Sequence, residues 1–175
     1  MRNALPAALL LSLAIAVPAA AQSSRWPVVQ LDVPMVARTS ERSGPASLAM
    51  VLQFYGADST VQDRADEAYD PKSKTSTPEA LVKAATRLGY DARIATPGMD
   101  SLATLLRAGI PPIVVLAPKS GTTGTTRYMV VSRWDTLGAR YFVQDGGPRR
   151  RKVEYGLLYS LWQTGGGHAV IVTRR

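Results

Sequence analysis

The chain changes character near residue 110. Before it, apolar residues recur at helical spacing between capping residues and glycine stops; after it, they run in short blocks of valine, isoleucine and tyrosine. Helix patterns first and strand patterns second specify an α+β domain built on an antiparallel sheet. The best helix begins near Gly44-Pro45 and ends at Tyr55, with Ser43 as N-cap, Pro45 in the first turn and Gly56 as the stop. Its Leu48, Val51, Leu52 and Tyr55 share one face and are expected in the core. A shorter polar helix is predicted over 60–69. Thr77-Pro78-Glu79 opens another, with Leu81, Val82, Ala85 and Leu88 inward and Gly89 at its end. Residues 101–107 form a last short helix of this half, stopped by Gly109.

In the second half, 113–116, 128–134, 140–143 and 169–173 read as strands, with a turn over 135–138 and a short helix over 155–162. Residues 28–36 read as extended, interrupted by Pro34. Trp134 and Trp162 fall in these elements and are expected to pack rather than to stack on a ligand.

The N-terminus has the composition of a secretory signal peptide. Arg2 precedes an apolar stretch over 4–16, and Ala19-Ala20-Ala21 offers a small-residue cleavage site. The apolar run is shorter than the roughly 20 residues needed to cross a bilayer. The predicted organisation is a signal peptide over 1–21 cut after Ala21, a mature tail over 22–27 and one domain over 28–175. The mature form would have no transmembrane span and would be periplasmic or secreted.

Cysteine is absent, so disulfides, lipoprotein anchoring and thiolate metal sites are excluded; one histidine rules out a histidine-rich metal site. No cofactor or metal is expected. The net charge of +8 favours anionic partners, which for an exported chain means envelope polymers, lipid headgroups or an acidic protein face rather than nucleic acid. The sharpest cluster, Arg149-Arg150-Arg151-Lys152 after Gly146-Gly147-Pro148, is predicted to be a solvated loop.

Residues 33–56, VPMVARTSERSGPASLAMVLQFYG, resemble the active-site segment of cysteine-peptidase family 39, papain-like enzymes that trim double-glycine leaders from bacteriocins. The likeness continues through Thr77 to Leu81, Gly89-Tyr90, Gly109-Ile110-Pro111-Pro112-Ile113, Arg127-Tyr128-Met129-Val130-Val131 and Tyr141 to Gly146. It implies a papain-like fold, with an N-terminal helical half packed on a C-terminal antiparallel sheet and the active site between them. It also implies a thiolate nucleophile, an imidazole base, an orienting carboxylate and a glutamine beside the oxyanion.

Matched residue by residue, Ser43 stands at the cysteine position, Arg127 at the histidine, Asp145 at the carboxylate, and Arg38 at or next to the glutamine. A serine hydroxyl is almost un-ionised at neutral pH and needs a base, whereas a guanidinium stays protonated and cannot be one. Losing general-base help costs roughly 10²–10⁴ in rate. The expectation is a non-catalytic, peptidase-like domain that binds a peptide or envelope protein through the former substrate cleft. Ser43, Gly44, Arg38 and Arg127 would contact the ligand, or Arg127 would pair internally with Asp145. The alternative is an exported serine hydrolase pairing Ser43 with His168, the sole histidine.

Overall fold

The computed structural model describes residues 28–116 and 126–175, so the predicted signal peptide and the mature tail lie outside the described residues. Strand β1 (Val28–Gln30) is followed by an irregular stretch, a 3₁₀ turn (Ser40–Arg42) and helix α1 (Ser43–Phe54). Then come α2 (Val61–Ala65), α3 (Pro78–Arg87), β2 (Asp91–Ala95) and α4 (Met99–Arg107). The remainder is β3 (Ile113–Leu116), β4 (Arg127–Asp135), β5 (Arg140–Gln144), β6 (Arg151–Glu154), α5 (Tyr155–Thr164) and β7 (Ala169–Thr173).

The strands form one sheet in the order β2-β7-β3-β4-β5-β6, with β1 added beside β4, and every pairing is antiparallel. Side chains alternate across a strand, so each face of this sheet collects its own core. Ile113, Val115, Tyr128, Val130, Val170 and Val172 meet α1, α2 and α3 on one face. Val114, Met129, Val131, Tyr141, Ala169 and Ile171 meet α4 and α5 on the other. The sheet is therefore sandwiched between two helical layers, and helices from both halves of the chain contribute.

Helix α1 sits deepest. Every residue from Ser43 to Leu52 is buried, as expected for a helix apolar on nearly all sides. Its start differs from the sequence expectation. Ser43 is the first helical residue rather than the cap; Arg42 occupies the cap position and makes no side-chain capping bond. The preceding 3₁₀ turn runs straight into the helix, and the Ser43 N–H donates to the Ser40 carbonyl, so the backbone satisfies the helix start. Thr77 does cap α3, its hydroxyl accepting from the Ala80 N–H at 3.2 Å.

Two strands differ from expectation. Arg151 and Lys152 of the cationic run, expected in a solvated loop, instead begin β6, which pairs with β5 and buries only Val153, so charge at an edge strand concealed the period-two pattern. β2, at the opposite edge, is mostly exposed and was not foreseen. The polar segment 60–69 splits into α2 and a 3₁₀ turn (Asp66–Ala68), and only Val28–Gln30 of the extended 28–36 stretch pairs as a strand. Trp162 is fully buried, its Nε1–H donating to the His168 carbonyl at 2.7 Å. Trp134 packs on the Tyr141 ring with centroids 4.4 Å apart.

Two glycines should respond oppositely to alanine. A Cβ on Gly44 would lie 2.9 Å from Ser76 Oγ and 3.2 Å from Tyr128 Cδ2, whereas one on Gly156 would meet nothing within 4 Å. In denaturant melts, Gly44→Ala is expected to cost ~1–3 kcal/mol through overpacking. Gly156→Ala is expected to add ~0.4–1 kcal/mol by restricting the unfolded chain.

Candidate functional site

Four stretches converge at one end of the sheet: the start of α1, the first residues of β4, the loop after β5, and the segment leading to the 3₁₀ turn. β4 and β5 are paired neighbours, which brings Arg127 and Asp145 to the same end. α1 lies against β4 because its apolar residues share the core with Tyr128 and Val130.

Ser43 is completely buried, and its hydroxyl oxygen accepts the Tyr128 N–H at 3.1 Å. This bond pins the helix tip to the first peptide of β4, next to Arg127. The serine N–H is already committed to the Ser40 carbonyl. Gly44 is buried behind it against Ser76 and Tyr128. The Tyr128 hydroxyl donates to the Ser76 carbonyl at 2.6 Å; burial pushes its pKa well above the usual phenol value, which keeps it a neutral donor. The hydroxyl groups of Ser47 and Ser76 are buried with no hydrogen-bond partner.

Arg127 turns to the carboxylate after β5. Its Nη2 donates to Asp145 Oδ2, which also receives Arg151 Nη1 at 3.1 Å. The Gly147 N–H closes on Oδ1 at 3.2 Å. A carboxylate only 4 % exposed needs such partners, because a buried charge without them is strongly disfavoured. The cations are not buried in turn: the Arg127 and Arg151 side chains are 41 % and 51 % exposed, so solvent screens their share of the attraction. Two guanidinium groups thus surround one carboxylate, leaving the cluster cationic towards solvent.

Arg38 belongs to the same end through its backbone. Its N–H donates to the Gly146 carbonyl at 2.9 Å, tying the approach to α1 to the Asp145 loop. Gly146 has φ +85°, and a Cβ there would lie 3.1 Å from that of Ala46, so glycine alone suits this close approach. The Arg38 guanidinium goes elsewhere, to Asp66 Oδ2 at 3.8 Å, beside Arg42 Nη1 at 3.2 Å. Of the expected binding residues, Arg127 and Arg38 reach solvent while Ser43 and Gly44 do not.

His168 immediately precedes β7. Its carbonyl accepts from Trp162 and from the Val115 N–H, and its ring folds back over Gly166. β3 separates β7 from β4, two strand spacings or about 10 Å. Among the described residues no hydrogen bond joins the histidine to Ser43. No group of three or more acidic, histidine or cysteine side chains among the described residues is placed to hold a metal.

Sequence reasoning missed Arg151 as the second partner of Asp145. The Gly146-Gly147-Pro148 turn was the available signal: it folds the chain back so that Arg151 pairs with Val143, beside the carboxylate. The Tyr128 N–H to Ser43 bond left no signal, because a backbone donor carries no residue code.

The fold has relatives of known structure. The peptidase domain of Streptococcus ComA, a bi-functional ABC transporter involved in a quorum-sensing pathway, is 22 % identical with a TM-score of 0.65, covering 82 % of this chain and 99 % of its own. A double-glycine-motif protease from an AMS/PCAT transporter, solved with the leader peptide, is 17 % identical with a TM-score of 0.65, covering 83 % of this chain and 94 % of its own. A C39-like peptidase from Bacillus anthracis is 18 % identical with a TM-score of 0.66, covering 85 % of this chain and 98 % of its own. These identities establish likeness of fold alone: an α+β, papain-like architecture. No curated protein matches the chain. The family model described as Peptidase_C39 like family matches residues 30–173, most of the chain, and with the fold seen here it places this chain in the C39-like peptidase family.

Proposed function

We propose that this chain is a non-catalytic member of its family, exported by cleavage after Ala21 to the periplasm or beyond, that binds a peptide or envelope protein. The observation carrying the reading is the Arg127–Asp145 ion pair. A guanidinium held by the carboxylate occupies the position where the resemblance implies an imidazole base, and it cannot accept a proton from Ser43. Two further contacts support it. The Ser43 hydroxyl is buried as an acceptor for the Tyr128 N–H, and its own N–H is engaged by Ser40 instead of facing a developing oxyanion.

Binding would use what remains exposed. Arg127 and Arg151 present cationic edges beside Asp145 and suit the carboxylates or carbonyls of an extended or acidic peptide. The related transporter protease solved with a leader peptide makes a peptide the first ligand to try.

Two measurements test the proposal. Residues 22–175 incubated with double-glycine peptides are expected to release no product above the Ser43→Ala background by mass spectrometry; turnover that this substitution abolishes would refute the non-catalytic reading. In calorimetric titrations with such peptides, Arg127→Ala is expected to weaken binding by about five-fold or more, since a charge-assisted bond contributes on the order of 1.5–3 kcal/mol before screening. Unchanged affinity would remove the cluster from the binding surface. Asp145→Ala is expected to destabilise the fold by ~1–3 kcal/mol in denaturant melts, because two cations and the Gly147 N–H lose their shared acceptor.

A further inference from the structure

The Arg127–Asp145–Arg151 cluster holds more positive charge and more donors than the fold consumes. Alternation sets Arg127 with Met129 and Val131, Asp145 with Tyr141 and Val143, and Arg151 with Val153, all on one face of the sheet. The two guanidinium groups reach the same oxygen, Asp145 Oδ2, from β4 and β6, while the Gly147 N–H takes Oδ1. Arg150 alternates to the other face, where its Nε lies 2.9 Å from the Gln144 side-chain amide, so it takes no part in the convergence. A guanidinium carries five N–H donors. Among the described residues, Arg127 and Arg151 each make one side-chain hydrogen bond, both to Asp145. Two cations against one carboxylate leave one net positive charge on part-exposed side chains.

A peptide meeting this pair cannot run on across the helix tip. Ser43 is completely buried, Gly44 is buried behind it, and the serine hydroxyl is engaged by the Tyr128 N–H. On the Asp145 side, the Arg38 N–H bond to the Gly146 carbonyl at 2.9 Å and the tight fit of Gly146 against Ala46 join the approach to α1 to the β5–β6 turn. The pair therefore faces solvent at a stop rather than along an open channel. An acidic side chain brings a main chain that must continue in both directions beside it, whereas a chain end does not. The charge matches as well. A terminal carboxylate carries one negative charge and neutralises the cluster; a phosphate group, with nearly two, would overfill it next to Asp145.

We propose that the Arg127–Arg151 pair is a receptor for the free C-terminal carboxylate of a peptide. Both guanidinium groups donate to that carboxylate from their exposed edges, and Asp145 holds them in place beforehand, so little side-chain freedom is lost on binding. This rests on the peptide-binding reading above and adds which part of the peptide is recognised: its end rather than its acidic side chains. Each hydrolysis of a peptide bond creates one such end. The ligand is then a product released by a peptidase acting elsewhere, and the cluster distinguishes it from the uncut chain.

Calorimetric titration of residues 22–175, which keep every described element, tests it with one peptide ending in Gly-Gly. The peptide is supplied as the free acid, as the C-terminal amide, and as the same sequence continued by several residues. The free acid is expected to bind at least about ten-fold more tightly than either other form at equal ionic strength. Arg151→Gln leaves Asp145 its Arg127 and Gly147 partners and is expected to narrow the acid-to-amide ratio to about three-fold or less. Arg127→Gln is expected to narrow it likewise. Equal affinity for acid and amide, tighter binding of the continued chain, or a ratio that neither substitution changes would overturn the carboxylate assignment while leaving peptide binding in place. Binding of no form would remove the peptide reading itself, and this inference with it.

Discussion

Asp145 must be neutralised where it sits, and that requirement organises the end of the sheet. The carboxylate is buried behind the β5 terminus and accepts from Arg127, Arg151 and the Gly147 N–H. Each donor comes from a different part of the chain: the first residue of β4, the first residue of β6, and the turn between β5 and β6. Satisfying one charge therefore sets the closure of the Gly146-Gly147-Pro148 turn and aligns two strands. Gly146 adds the approach to α1 through the Arg38 N–H. The resemblance implies a carboxylate–imidazole pair at these positions; here a guanidinium meets the same electrostatic need without being able to transfer a proton.

The helix tip follows the same logic of groups already engaged. A helix start exposes N–H groups that can hold an anion or an oxyanion. In this chain the 3₁₀ turn feeds a carbonyl to the Ser43 N–H, and Tyr128 donates its N–H to the Ser43 hydroxyl. Both atoms that a reaction would require are tied into the fold and shielded from water. The exposed chemistry has moved outward to Arg127 and Arg151, which is why the proposed role is recognition rather than hydrolysis.

Legibility in the sequence tracked local physics. Thr77-Pro78 marked the start of α3 because capping and a fixed proline φ act within one turn, and Gly56, Gly89 and Gly109 marked helix ends by adopting positive φ. The buried β3 and β7 were visible as continuous apolar runs. β2 and β6 were not: as edge strands they gain their order from a single neighbour, and Arg93 or Arg151 on the open side breaks the apolar signature. At the site, aligned motifs indicated Ser43, Arg127, Asp145 and Arg38, but not where the side chains would turn. The Arg38 guanidinium goes to Asp66, and Ser43 binds a backbone amide; both outcomes depend on tertiary contacts that spacing alone does not encode.

Whether the Ser43 hydroxyl can act as a nucleophile is tested most directly by intact-mass analysis after exposure to a fluorophosphonate. Residues 22–175 and their Ser43→Ala variant should show the same mass spectrum, with no adduct on the serine. An adduct that forms stoichiometrically on Ser43 and is missing from the variant would contradict the account, because it would require both an accessible hydroxyl and a group able to take its proton.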